Sequence, residues 1–303
     1  MTTRRLLAVL LITACFACAR PLAAQTVEAV GSRALGMGGA FVAVANDSSA
    51  TWWNPAGLAA GPFLDMAIAR TTSETDGPPV GGRNSVWSFS LGTPPFGVSY
   101  YRLRITDIRP LDPTAEAGAN REDRRAEVSV SQFGATILQT LVTGVHAGAT
   151  VKYVQGAGDG AVDLDVGVLA VAGAVRVGGL VRNVREPEFG GLRLPRQVRV
   201  GAAFDGDALG MLPLVVALDA DLHAYDAGSG DRRVIALGAE RWLFARRLGV
   251  RGGARVNTAG ERDRAITAGA SVAARAGLYL DGHIVQGGEA GEDGWGVAAR
   301  VSF

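Results

Sequence analysis

A transmembrane antiparallel β-barrel of about fourteen strands, its lumen plugged by a short N-terminal segment, is the all-β fold this sequence predicts. Three observations carry the prediction. The chain opens on an export-type leader, and nothing after it is long and apolar enough to form a membrane-spanning helix. From Phe63 onward, apolar and polar residues alternate with a period of two. The links between these segments are long and polar after odd-numbered segments and mostly short after even-numbered ones.

The leader spans residues 1–24. Arg4 and Arg5 form a basic start, "LLAVLLITACFACA" is the apolar core, and "PLAAQ" supplies small residues for cleavage near Ala24. A rival reading takes "ITAC", ending at Cys15, as a lipoprotein processing site. With cleavage near Ala24 both cysteines, Cys15 and Cys18, leave with the leader, and disulfides, thiolate metal sites and cysteine nucleophiles leave with them. The mature balance is 27 basic against 29 acidic side chains, a net charge of −2, which offers no footing for a nucleic-acid partner. An exported chain that is 48% hydrophobic, carries 42 glycines and lacks a spanning helix fits the other membrane solution, a closed barrel.

Residues 25–62 form the expected hatch. In "NDSSATWW", Asp47 or Ser48 is placed to cap a short helix, and Asn54 with Pro55 marks a second helical start. Gly31, Gly36, Gly38 and Gly39 suit close packing and left-handed backbone, while Trp52 and Trp53 bring apolar surface that must be buried. A solvated tail would be more polar than this. "GMGGAF" lacks the strand, helix and acidic residue that a nucleotide-binding glycine loop requires.

Residues 63–303 form the expected barrel, with about 17 residues per strand and link. In "RRLGVRGGARVN" Arg247, Arg251 and Arg255 share one face with Gly249 and Gly253, and Leu248, Val250, Gly252, Ala254 and Val256 take the other; "PLVVALDADLHAY" and "GWGVAARVSF" divide in the same way. The expected strands centre on FLDMAIAR, SVWSFSL, FGVSYYRLRI, AEVSVSQFGATI, GVHAGATVKYV, AVDLDVGVLA, AVRVGGLVRNV, RQVRVGAAF, PLVVALDADLHAY, RVIALGAERWL, RLGVRGGARV, RAITAGASVA, AGLYLDGHIV and GWGVAARVSF. "DGDALGMLP" is the one long link after an even-numbered strand. Parity then puts both chain ends in the periplasm.

An arginine on the lipid face at mid-membrane costs about 2–4 kcal/mol, so the strand charges are expected inside. They are Arg102, Arg104, Lys152, Arg199, Arg251, Arg255 and Arg300, with Asp163, Asp165, Asp219, Asp221 and Glu240. Trp87, Trp242 and Trp295 are expected at the interfacial girdles. Asp219, Asp221 and His223 share a face and offer a weak metal or base constellation; paired lumenal charges are the plainer reading. His146 and His283 lie on other strands, and no G-x-S-x-G elbow is present, so catalysis is not expected.

The stretch "GSRALGMGGAFVAVANDSSATWWNPAGLA" resembles the N-terminal hatch of FadL-like outer-membrane transporters, especially their PorV-like relatives. The resemblance implies an outer-membrane barrel with Asn54, Pro55 and Ala56 in the plug core, contact with outer-membrane lipid, and insertion by the outer-membrane assembly machinery through the terminal Phe303. It implies passive transport of small hydrophobic molecules without a cofactor. The gate would be Gly36, Gly38, Gly39, Trp52, Trp53 and Asn54–Ala56, braced by Arg251, Arg255, Asp219 and Asp221. PorV-like members instead serve type IX secretion, so partnership with secretion-system proteins, without small-molecule flux, is the alternative.

Overall fold

The computed structural model describes residues 22–23, 30–75, 80–110, 128–156, 158–189, 192–227, 230–260, 262–288 and 292–303. The expected leader, with Cys15, Cys18 and Ala24, falls almost wholly outside them, as do the first residues of the expected hatch. Among the described residues, fourteen strands close into one antiparallel barrel. They are β1 Asp65–Thr75, β2 Val80–Thr93, β3 Phe96–Pro110, β4 Val128–Val142, β5 Val145–Gly156, β6 Asp159–Ala172 and β7 Val175–Arg182. There follow β8 Gln197–Asp205, β9 Leu214–Asp221, β10 Val234–Leu243, β11 Leu248–Asn257, β12 Arg264–Arg275, β13 Leu278–Gly287 and β14 Glu292–Ser302. Each strand pairs with its sequence neighbours, and β14 closes on β1 from Ser302↔Asp65 to Glu292↔Thr75. Closure leaves no unpaired edge, which a bilayer would penalise.

All fourteen alternating segments are strands, but several links are shorter than the sequence suggests. The stretch expected to loop between β1 and β2 is mostly ladder, with Thr75 opposite Gly82. Within "QGAGDG" the ladder also runs on, with Gly156 opposite Asp159. Glycines and hydroxyl residues read as loop, yet at a barrel rim their backbone groups are best satisfied by continuing the ladder. "DGDALGMLP" holds a single 3₁₀ turn, Gly206–Leu209, started by Asp205 accepting from the Asp207 N–H at 3.2 Å.

The two faces separate as the period requires. On β6, Asp163, Asp165 and Leu169 are buried inside while Val162, Val166 and Val168 are exposed outside. On β14, Gly296, Ala298 and Arg300 point in and Trp295, Val297 and Phe303 point out. A run from Trp295 to Phe303 on a tilted strand is roughly 20–25 Å tall, close to the apolar band of membrane barrels. Trp87 and Trp295 lie on this outer face. Trp242 does not: it follows Glu240 onto the inner face of β10 and meets Tyr279 edge-on, with centroids 5.7 Å apart.

Residues 30–62 lie within the barrel. Helix α1 (Ser32–Gly36) rests on β11–β14, and the 3₁₀ segment Pro55–Ala60 rests on β4–β6. Helix α2 (Ala50–Trp53) lies between them in sequence. Phe41, Met37, Leu35, Trp53 and Leu58 form one buried cluster with Leu138, Ala203, Ala217, Val234 and Ala236 of the wall. Small wall residues make room for the large side chains of the inner segment, giving the close packing of an ordinary core.

Placing a charge on the outer belt tests which medium it faces. Leu237→Arg on β10, where Leu237 is exposed, should lower folding stability in phospholipid vesicles by about 2–4 kcal/mol. Thr72→Arg, in register with Trp295, should change it little. Equal effects in denaturant titrations would contradict a lipid-facing belt.

Candidate functional site

The contact between plug and wall is the place where chemistry concentrates. Residues 37–49 form no regular element beyond turns, so their backbone groups need partners from elsewhere. Asp219 on β9 supplies two: its Oδ2 accepts the N–H groups of Phe41 at 2.7 Å and Val42 at 2.8 Å. A buried carboxylate is a strong acceptor, and the two amides make its burial tolerable.

A second fastening is ionic. Arg33 in α1 grips Glu240 of β10 with both prongs, Nε to Oε1 at 2.8 Å and Nη2 to Oε2 at 2.6 Å. Its Nη1 turns back to Asn46 and to Asp47, the latter at 3.3 Å, and its guanidinium stacks 5.2 Å from the Phe41 ring. Burial works against the Arg33 charge, but Glu240 and Asp47 outweigh it and hold its pKa above the ordinary value, so the pair does not come apart through loss of that proton. Arg251 extends the network: its Nε lies 3.5 Å from Glu240, and it bonds Ser271, which bonds Asp281. Arg300 reaches Asp281 at 3.0 Å and Asp65 at 3.4 Å, and Asp65 accepts the Ser48 N–H at 2.8 Å. The chain of alternating charges thus begins and ends on the plug.

Asn54 is the third fastening. Its Nδ2 donates to Val42 O within the plug at 2.8 Å and to Val168 O of the wall at 3.0 Å, while its Oδ1 accepts the Ala56 N–H at 3.2 Å. Pro55 then occupies the first helical position, as the sequence implies, although the turn it starts is 3₁₀. The wall permits this approach because β6 has Gly167 there: a Cβ at that position would stand 2.1 Å from Asn54 Oδ1. Gly38 meets the same constraint from the plug side, at φ 70° with any Cβ only 2.9 Å from the Ala254 backbone nitrogen.

Trp53 is fully buried, donates to Val30 O at 2.9 Å, and meets Phe41 edge-on at 6.2 Å. Trp52 packs edge-on against Tyr101 at 4.9 Å and lies under Arg182, whose Nη2 donates to Trp52 O at 2.9 Å. At the end of the barrel with the short turns, a cavity of about 300 Å³ opens beside the plug, lined by Arg33, Val44, Asn46, Val215, Glu240 and Trp242 among others.

The expected gate residues Gly36, Gly38, Gly39, Trp53, Asn54, Pro55 and Ala56 are all buried in this contact, with Trp52 half-buried. Of the expected braces, Asp219 and Arg251 reach the plug. Asp221 instead pairs along the wall with Arg199 at 2.7 Å, and Arg255 with Glu292 at 3.2 Å. Lys152 is a wall group too, held by Asp163 at 3.2 Å and by Asp165 and Asn183 at 2.6 Å each. His223 is exposed, so it forms no cluster with Asp219 and Asp221. His283 is buried against Gly296, and His146 meets Thr140 at 3.0 Å.

Arg102 and Arg104 correct the expectation of inward charges. On β3 Gly97, Ser99 and Tyr101 are buried, and Arg102 and Arg104 share the outer face with Phe96 and Val98. The strand runs on to Pro110, so charges above its apolar stretch escape the penalty that forces midplane charges inside. Arg33 and Arg182 were not anticipated. Arg33 had a signal in the sequence, as a lone basic residue within an apolar, glycine-rich stretch; Arg182 had none, since its partner Trp52 is 130 residues away.

No protein-family model matches this chain, and no curated protein matches it. Solved structures do. The toluene transporter TbuX of Ralstonia pickettii aligns over 92% of this chain and 99% of its own at 14% identity, with a TM-score of 0.64. The monoaromatic hydrocarbon channel CymD aligns over the same shares at 12% identity and a TM-score of 0.63. A FadL homologue of Pseudomonas aeruginosa aligns over 93% of this chain and 100% of its own at 10% identity, with a TM-score of 0.60. The chain therefore has the fold of FadL-like hydrocarbon channels, a closed fourteen-strand barrel with an N-terminal helical segment.

Two substitutions test the fastenings. Asp219→Ala removes the oxygen that accepts both amides and should accelerate hydrogen exchange at the Phe41 and Val42 amides about a hundredfold, the loss of roughly 3 kcal/mol of charge-assisted bonding. Glu240→Ala leaves Arg33 buried without its fork and should cost about 3–5 kcal/mol; converting Arg33 to Met together with Glu240 to Leu should recover most of that in the same unfolding assay.

Proposed function

We propose that this chain is a bacterial outer-membrane channel that passively conducts small hydrophobic molecules, with the N-terminal segment, residues 25–62, as its gate within a barrel of residues 63–303. The observation that carries the reading is the division of labour in the plug contact. An apolar core of Phe41, Met37 and Trp53 is held to the wall by a few polar fastenings, at Asp219, Glu240 and Asn54. Such a plug is released by exchanging specific hydrogen bonds, and its departure exposes apolar surface suited to an apolar solute. The roughly 300 Å³ cavity abuts the Arg33–Glu240 fork, so opening that fork would enlarge an existing space.

The outer belt supports a membrane location, and the paired lumenal charges disfavour a strongly ion-selective pore. The solved structures of similar fold include proteins described as a toluene transporter and a monoaromatic hydrocarbon channel, which favours a small, uncharged, largely aromatic or aliphatic solute. Diffusion down a gradient needs no cofactor. The short-turn end, where both barrel termini lie, would face the periplasm.

Uptake of labelled toluene or fatty acid by cells lacking their own channel tests the proposal. The complete chain should raise uptake. Asp219→Ala should raise it further, and deletion of residues 31–61 should also admit small polar solutes. Uptake indistinguishable with and without the barrel would remove the transport reading. Co-purification with secretion-channel proteins in that case would establish the PorV-like alternative.

A further inference from the structure

We propose that the outer face of β1–β4 carries a binding site for the phosphate group of a membrane lipid, built on Arg70 and Arg102. Arg70 lies on the outer face of β1, between buried Ala69 and Thr71, directly opposite Trp87 of β2. Trp87 is in turn opposite Arg102 of β3, and Arg102 is opposite Ser131 of β4. One register step further along β3, Arg104 sits between Ser85 and Ser129. Three guanidinium groups, three serine hydroxyls and one indole thus occupy adjacent positions on a face that is otherwise apolar below them, at Ile68, Phe89, Phe96 and Val98.

Among the described residues, Arg70 and Arg102 lack the acidic neighbour that an arginine on a protein surface ordinarily finds. The cross-strand neighbours of Arg70 are Trp87 and Val297, and those of Arg102 are Trp87 and Ser131; none is acidic. Glu74, higher on β1, is taken by Arg83 at 2.6 Å. The contacts that Arg70 and Arg102 do make are weak: Arg70 lies 5.4 Å from the Trp87 ring centroid, and Arg102 Nε reaches Ser129 Oγ at 3.4 Å. Arg70 and Arg102 flank Trp87 from either side, like charges repel, and neither is stable in hydrocarbon, so the pair calls for an anion at the belt's edge.

Its height supplies one. Arg70 is opposite Val297, and Thr72, the next outward residue on β1, is opposite Trp295. Trp87 and Trp295 thus lie one outward step apart in register, where tryptophans meet headgroups, and the arginines beside Trp87 reach that layer along their own stems. A guanidinium fork with serine hydroxyls beside it matches the tetrahedral oxygens of a phosphate, and the acyl chains of the same lipid would lie on the apolar surface beneath. A free phosphate would forgo that second contact, which is why the lipid is the occupant.

The inference rests on the belt being lipid-facing and is independent of transport. The test uses the complete chain in phosphatidylcholine nanodiscs doped with either phosphatidylglycerol or a bisphosphorylated glycolipid, with native mass spectrometry counting dopant lipids retained after detergent release. Each arginine removed should weaken retention about fivefold, so Arg70→Gln with Arg102→Gln should weaken it roughly twentyfold. Arg264→Gln, an outward arginine on β12, should leave it unchanged. The pair R70K and R102K, which keeps charge and loses the fork, should fall between. Comparison of the two dopants identifies which lipid is preferred. Unchanged retention in the glutamine pair would overturn the proposal, and so would complete displacement of the lipid by millimolar inorganic phosphate. A chain that conducts hydrocarbon yet shows no anionic-lipid preference would lose this site alone.

Discussion

The carboxylate of Asp219 accepting two backbone amides from the plug is the interaction on which the arrangement of the lumen depends. A barrel satisfies its own backbone by closing on itself, but a segment threaded through it with little regular structure does not. The groups of residues 37–49 that no helix pairs must find acceptors and donors on the inner wall. Asp219 and Asp65 meet that need for Phe41, Val42 and Ser48, while Glu240 and the carbonyl of Val168 hold the side chains of Arg33 and Asn54 at two further places around the barrel. The plug is consequently fixed from several sides without becoming a domain with a core of its own.

Apolar packing and polar fastening have different consequences here. Phe41, Trp53 and Met37 bury area against alanines and valines of the wall, and that contribution varies smoothly with displacement. The Arg33–Glu240 fork and the Asp219 pair are directional and are lost within a fraction of an ångström. A contact of both kinds is bistable: seated while the polar set is intact, mobile once that set is exchanged for water or solute. Wall glycines sharpen the seat, because Gly167, Gly148 and Gly253 bring wall backbone within reach of the plug where any Cβ would intrude.

The outer surface obeys the complementary rule. Where the wall faces hydrocarbon it carries Val, Leu, Ile and Phe, and the outward arginines Arg70 and Arg102 flank Trp87. Arg102 and Arg104 show why a strand's charges cannot all be assigned inward from sequence alone. The rule applies only within the apolar slab, and β3 runs beyond it.

Period-two alternation needs only the local chain, so the sequence alone determined fourteen strands, a closed barrel and the inward aim of Lys152, Asp165, Asp219, Arg251 and Arg300. It also placed Asn54 and Pro55 at a helical start, since capping is a property of neighbouring residues. Only the tertiary structure decided which charges meet. Arg33 and Glu240 are 207 positions apart, and Phe41 and Asp219 are 178. Their meeting depends on strand register and on the depth at which the plug settles, both of which come from the summed packing of the closed barrel. For the same reason Asp221 and Arg255 turned out to pair along the wall, and Arg102 and Arg104 to face outward: a residue's side of the sheet and its height along the barrel are separate quantities, and a local pattern carries only the first.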